Sequence, residues 1–437
     1  MTTEMRPNLK EFEPFPVLGQ VAQVTSGVVM ADGPDATVGS HCLLRSRTTG
    51  RALALTHVAA VQRDGLTLVP FETVSDVRIG DQVELVADHA SVAVGPSFAG
   101  RAVDALGRPI DGRTAPTGAA PRRSLPPVLD RTGGLLPMAT GIRAIDGLLT
   151  IGRGMRIGIF AASGVGKTTL VEQILRQSDA ERIVVCLIGE RGREVEDFWR
   201  LVGGDKADHR VTLVAATSDE LAPMRAQAVD TALLLAEFWR DAGENVLLLV
   251  DSITRLAMAL REIGLAAGEP PTARAYTPNV FRELPRVVER CGAVRGRGSI
   301  TAIFTVLSES DDVDDPIVET MKSLLDGHIV LSRRLAQAGH FPAIDVSRSI
   351  SRLFDRLVDP GQRDAAQRCR AWIARHDEAR LLIESGMYKP GGDRDLDQAV
   401  AARPAITAFL QQDHGEAVPP DQTRAALRAL AAPKVAA

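Results

Sequence analysis

The stretch "GIFAASGVGKTTL", from Gly158 to Leu170, constrains this chain more than any other. It nearly spells the phosphate-binding loop G-x-x-x-x-G-K-[ST]. Ala161 stands where the first glycine belongs, and Ala162 follows it. Such a loop curls its backbone N–H groups inward and ends at a helix N-terminus, where the exposed amides favour an anion. Gly164 and Gly166 permit the curl and the close approach. Lys167 is expected to reach the β- and γ-phosphates of a nucleotide, and Thr168 to offer a hydroxyl to Mg²⁺. The cradle is therefore Ala162, Ser163, Gly164, Val165, Gly166, Lys167, Thr168 and Thr169. Ala at position 161 fits if the backbone there is extended with negative φ. The apolar run "MRIGIF" predicts a strand before the loop and "TTLVEQILRQ" a helix after it, the context the motif requires.

The texture on either side divides the 437 residues into three parts. Residues 1–92 carry short Val- and Leu-rich runs cut by Gly and Asp, the pattern of a small β-barrel or sandwich. Residues 93–360 begin with a Pro-, Gly- and Arg-rich stretch that reads as extended connecting chain. From about Gly152, "MRIGIFA", "RIVVCLIG", "RVTLVAAT", "NVLLLVD", "ITAIFTVL" and "GHIVLS" alternate with amphipathic segments. Near-continuous apolar runs of this length predict strands buried on both faces, hence an α/β core with a parallel sheet. Thr217 and Glu220 are spaced as a capping box for a helix over Leu221 to Phe238, with Gly243 as its stop. Residues 361–437 read as a helical bundle, with the last dozen residues expected to fray.

Lys and Arg number 51 against 55 Asp and Glu, a net charge of −4 that gives no electrostatic footprint for nucleic acid. The four cysteines are widely spaced, with no metal-binding pair. Cys186 falls in an apolar strand and reads as core. No secretory leader and no membrane-length apolar run is present, so the expected location is cytoplasmic.

Six residues beyond the loop carry candidate chemistry. Asp251 ends the run "NVLLLVDS", where a carboxylate can orient Mg²⁺ through water. Glu190 ends "RIVVCLIGE", where a carboxylate facing the γ-phosphate can polarise the attacking water; Arg191 and Glu194 are placed to steady it. The bland reading of "ERGRE" is a solvated charge cluster. Arg352, in "SISRL", can act as an arginine finger in a neighbour's site, or simply pair with an acidic residue. Phe341, in "GHFPAID", can stack on adenine, or simply belong to the core.

Together these segments resemble the rotary-ATPase-like protein-export ATPases of flagellar and type III secretion systems. The resemblance rests on "GRAVDALGRPIDG", "ATGIRAIDGLLTIGRGMRIGIFA", "LIGERGREV", "DSITRLAMALREIGLAAGEPP", "SLLDGHIVLSRRLAQAGHFPAID" and "SISRL", and covers roughly residues 95 to 360. It implies a RecA-like P-loop ATPase core using ATP and Mg²⁺, with an N-terminal barrel and a C-terminal helical domain. The catalytic glutamate falls on Glu190, the Walker B aspartate on Asp251, the finger on Arg352 and the adenine-stacking aromatic on Phe341. The resemblance also implies a homohexamer at the cytoplasmic face of the inner membrane. Its partners would be a stator-like regulator, a central stalk protein, an export gate and secretion chaperones with their substrates. Family members often carry Ala at the position of Ala161. Two departures stand out: Ala162, where many members have Gly, and "ARAYTPNVF", where Ala275 and Thr277 replace Gly and Pro in a pore-side loop. Alternatives are a proton-translocating rotary ATPase subunit and a non-catalytic nucleotide-binding subunit. The second would be expected to lack Lys167 or Glu190. A hexameric RNA helicase would need an aromatic, basic barrel face, whereas Phe71 is the main aromatic of the barrel.

Overall fold

The computed structural model describes residues 18–25, 27–87, 92–121, 125–132, 136–203, 209–308 and 315–432. Six strands close the N-terminal barrel: β1 (Leu18–Thr25), β2 (Val28–Asp32), β3 (His41–Arg45), β4 (Ala52–Gln62), β5 (Gly65–Pro70) and β6 (Gln82–Ala87). Their order is β1-β2-β5-β4-β3-β6, and β6 pairs with β1 to complete the circle. Val21, Val29, Leu44, Val58, Leu68 and Val83 fill the interior. They do so because alternate residues of each strand face inward. Phe71 instead packs with the core cluster outside the barrel and is buried there. It is no exposed stacking platform.

The connecting stretch is more tightly packed than its composition predicts. β7 (Ala102–Asp104) joins the edge of the central sheet, and Arg101 makes a two-pronged ion pair with the buried Asp111 at 2.6 and 2.9 Å. Short strands β8 (Arg131–Thr132), β9 (Pro137–Met138) and β10 (Ile151–Gly152) follow.

The sheet continues with β11 (Arg156–Ala161), β12 (Arg182–Glu190), β13 (Val211–Thr217), β14 (Asn245–Asp251), β15 (Gly292–Val294), β16 (Ser299–Leu307), β17 (Gly327–Leu331) and β18 (Ile344–Ser351). Along the sheet the order is β18-β17-β11-β16-β14-β12-β13-β7. Every pair on that path is parallel except β17 with β18. The strands serve two cores. Ile183, Val185, Leu187, Leu247 and Leu249 face one side, while Val184, Cys186, Ile188, Leu248 and Val250 face the other. That is the period-2 consequence of burying both faces of a sheet under helices.

One helix expectation needs correction. The helix Ala222–Asp241 starts from Leu221 with no side-chain cap. Thr217 and Glu220 instead form a turn, Glu220 N–H donating to the Thr217 carbonyl at 3.2 Å. Pro223 sets the first helical turn, where its missing N–H costs nothing. At the other end Gly243 adopts φ +97, the left-handed stop expected of it. Of the last dozen residues, those through Ala431 belong to the helix Pro420–Ala431, which buries Leu427 completely. It packs with Pro360–Glu378 and Arg394–Leu410 against the P-loop side of the sheet. Residues 433–437 lie outside the described residues.

Candidate active site

In open parallel sheets, ligands bind beyond the carboxyl ends of the strands. β11, β14 and β12 end there in Ala161, Asp251 and Glu190. Ala161 is the last residue of β11, paired with Leu307, and it is buried. Neither Ala161 nor Ala162 has positive φ, whereas Gly164 and Gly166 sit at +76 and +91. The curl therefore requires glycine only where glycine is present. Gly166 leads into the helix Lys167–Gln177, and Ser163, Thr168 and Thr169 remain exposed around its first turn while Val165 anchors the loop in the core.

Lys167 Nζ pairs with Asp251 Oδ1 at 2.5 Å, and Thr305 Oγ1 donates to the same oxygen at 2.6 Å. Both side chains are largely shielded from solvent. Asp251 Oδ2 takes no hydrogen bond among the described residues. It and the exposed Thr168 hydroxyl are oxygen donors of the kind that could hold Mg²⁺, which takes few protein ligands and keeps its waters.

Glu190 is half-buried and is aimed by a local irregularity. Gly189 adopts φ +65, and the β12–β13 register slips between Ile188 and Glu190. A bulge of this kind re-aims the side chain that follows it. Burial pushes the Glu190 carboxyl up to about 7, helped by its hydrogen bond to Glu194 and by the Asp251 charge, against the pull of Arg255 and Lys167. Glu194 is held below its ordinary range, chiefly by that same bond from Glu190. Arg191 stands exposed at the helix N-cap, its backbone N–H donating to Glu194 Oε2 at 3.3 Å. Arg191, Gly192, Arg193 and Glu194 are exposed, as the solvated reading has them, and Glu190 alone of the five is half-buried at the strand tip.

One residue absent from the sequence-based set belongs here. Arg255 Nε lies 3.6 Å from Glu190 Oε1 as an ion pair. A Cβ on Gly189 would stand 2.8 Å from Arg255 Cδ, so the glycine also makes room for the guanidinium's approach. The signal was available: "DSITR" puts Arg255 in the first turn of the helix that Ser252 caps after Asp251.

The structure brings Phe341 to the loop: a Cβ on Gly166 would lie 3.5 Å from its ring. Phe341 is 48% exposed, so it is not a core residue. It does not bring Arg352 there. Arg352 follows β18, whose direction opposes β17 and β11. Its N–H donates to the Asp326 carbonyl, and the Asp326 N–H donates to the carbonyl of Arg156, the first residue of β11. The phosphate loop leaves the other end of that strand, roughly 16 Å away. Arg352 is exposed, donates Nη2 to the Lys322 carbonyl at 3.0 Å and makes no ion pair among the described residues.

Residues 141–351 match the model of the ATP synthase alpha/beta family nucleotide-binding domain, and residues 358–429 match the type III secretion EscN ATPase C-terminal domain. The flagellum-specific ATP synthase of Bacillus subtilis is 41% identical over 415 residues, 94% of each chain. The SPI-2 type 3 secretion system ATPase of Salmonella typhimurium is 42% identical over 409 residues, 92% of each. The assembled ATPase EscN of enteropathogenic E. coli superposes with a TM-score of 0.88 at 40% identity, covering 95% of this chain and all of that one. A second EscN structure, in complex with its central stalk EscO, gives 0.86. A phosphate loop with its lysine, two carboxylates at neighbouring strand ends and this similarity along nearly the whole length lead to one conclusion: the chain belongs to the export ATPases of flagellar and type III secretion systems.

Proposed function

We propose that this ATPase energises protein export from sites that two neighbouring copies complete together in a ring of six. ATP lies with its phosphates in the cradle Ala162–Thr169 and its adenine on Phe341. Lys167 exchanges its partner Asp251 for phosphate oxygens, and Thr168 and Asp251 would hold Mg²⁺. The metal supplies neutralisation of the phosphate charge. Glu190, ionised and pinned by Arg255, takes the proton of the attacking water. Arg191 and Glu194 steady that geometry. Arg352 of the adjacent copy stabilises the charge of the transferring phosphoryl group.

The observation that carries this reading is the separation of Arg352 from its own phosphate loop by the length of β11. Lys167, Asp251 and Glu190 meanwhile converge at the other end of the sheet. The turnover would release or unfold chaperone-bound substrates at an export gate on the cytoplasmic face of the inner membrane, under a stator-like regulator. No helix among the described residues is long and apolar enough to cross a membrane, so attachment there would run through partners. As EscN has its stalk EscO, a central stalk protein would be a partner here, and Leu381 and Met387 are exposed apolar side chains of the C-terminal helical region that it could cover.

The test is ATP hydrolysis per milligram against protein concentration, with Mg²⁺ and without nucleic acid. Specific activity is expected to rise with concentration and level off. A rate per milligram that is constant down to monomeric dilution would overturn the shared site.

A further inference from the structure

Gln412 is remote from the phosphate loop in sequence, yet it is buried at 6% exposure and uses both ends of its side chain. Oε1 accepts the Arg143 backbone N–H at 2.9 Å. Nε2 donates to the Gly141 carbonyl at 2.7 Å and to the Glu416 carbonyl at 2.8 Å. Its backbone N–H donates to the carbonyl of Phe341 at 2.9 Å. The surrounding turn is fastened as well. Arg143 Nε donates to the Phe409 carbonyl at 2.9 Å, and its Nη atoms reach the Gln411 carbonyl and the Glu416 carboxylate, each at 2.5 Å. Gln177, on the helix that opens with Lys167, donates to the Glu416 carbonyl at 2.9 Å.

We infer that Gln412 is a positioning residue for the nucleotide base: through its N–H it fixes the height of Phe341 over Gly166, and through its side chain it fixes itself. The C-terminal helical region thereby sets one wall of the base site without touching the phosphates. This inference rests on the reading that Phe341 stacks on adenine. Among the described residues no hydrogen bond joins Gln412 to Ala161–Thr169, and the turn's hydrogen bonds to the helix Lys167–Gln177 come from Gln173 and Gln177, beyond its first turn, so displacing Gln412 moves the aromatic platform more than the phosphate cradle. Gln412→Met strands the Arg143 N–H and takes one donor each from the Gly141 and Glu416 carbonyls, which keep the Val418 N–H at 3.2 Å and Gln177 Nε2 at 2.9 Å, so these three groups lose part of their bonding. The turn relieves them by shifting, and the Phe341 carbonyl moves with it.

The experiment uses the full chain and compares the KM for Mg·ATP with the inhibition constant of Mg·tripolyphosphate, which carries the phosphates without a base. Gln412→Met is expected to raise the KM for ATP about tenfold, with kcat and the tripolyphosphate constant changed less than about twofold. Should Gln412→Met not fold, Gln412→Asn, which keeps the amide but is one methylene shorter, gives the same signature at smaller size. Equal weakening of both ligands, or of neither, overturns the inference and leaves Gln412 a structural residue. Phe341→Ala separates the two claims. If it leaves the ratio of the two constants unchanged, the stacking reading falls, and this inference with it. If it lowers the preference for ATP while the Gln412 variants do not, only the role of Gln412 falls.

Discussion

At the scale of single residues, the Glu190 carboxyl ties structure to rate. Its burial and its bond to Glu194 raise its titration to about 7. The raised value favours the protonated form below that pH, and a protonated carboxyl cannot accept a proton from water. Turnover is therefore expected to rise with pH through about 7 and to flatten above it, read as kcat from pH 5.5 to 8.5. Glu190→Gln should keep nucleotide binding and lose roughly 10²–10⁴-fold in turnover; normal turnover by that variant would remove Glu190 from the role of base. Backbone angles decide the matter of the missing glycines. Ala162→Gly is expected to change turnover less than about twofold, because Ala162 needs no left-handed conformation. Gly164→Ala places a side chain at φ +76 and is expected to weaken ATP binding about tenfold, through roughly 1–2 kcal/mol of strain. Titrating both variants with the same nucleotide tests the contrast directly.

At the scale of elements, the strands that sequence makes legible are those buried on both faces. β11, β12, β13, β14, β16 and β17 each read as an apolar run, and each end predicted to carry a candidate residue does carry it. The edges were illegible for a physical reason. β7 has three residues, and β18 mixes buried with exposed positions because it covers only one flank of the sheet. Arg255 and Gln412 were missed because their roles depend on distances that pattern does not encode. The first is set by the turn at Gly189, and the second acts through a backbone bond to Phe341. The loop bearing Ala275 shows the reverse case, a sequence departure with a visible cost. Arg274 and Ala275 adopt φ +51 and +60, consecutive left-handed positions without glycine. Thr272 holds them by donating its N–H and Oγ1 to the Tyr276 carbonyl, each at 2.6 Å. Ala275→Gly is expected to stabilise the fold by up to about 1 kcal/mol, with added unfolded-state freedom offsetting part of the relief. A melting temperature below that of the parent would show that the left-handed turn carries no strain.

At the scale of the whole molecule, Arg352 and the phosphate loop occupy opposite ends of one sheet. Arg352→Ala and Glu190→Gln chains should each be nearly inactive alone. Mixed and reassembled, they should recover activity, since some contacts then join an intact finger to an intact base. Verified mixed assemblies with no recovery would count against a shared site. A contact that carries Arg352 of one copy to the loop of the next joins two different surfaces, so it is head-to-tail. In an open row of copies one end then always lacks its finger: a pair completes half of its sites, and a longer row always falls one short. Closing the circle alone lets every copy both lend an arginine and receive one. Activity per copy therefore counts the unclosed ends in a preparation, and the last copy to join a ring completes two sites at once.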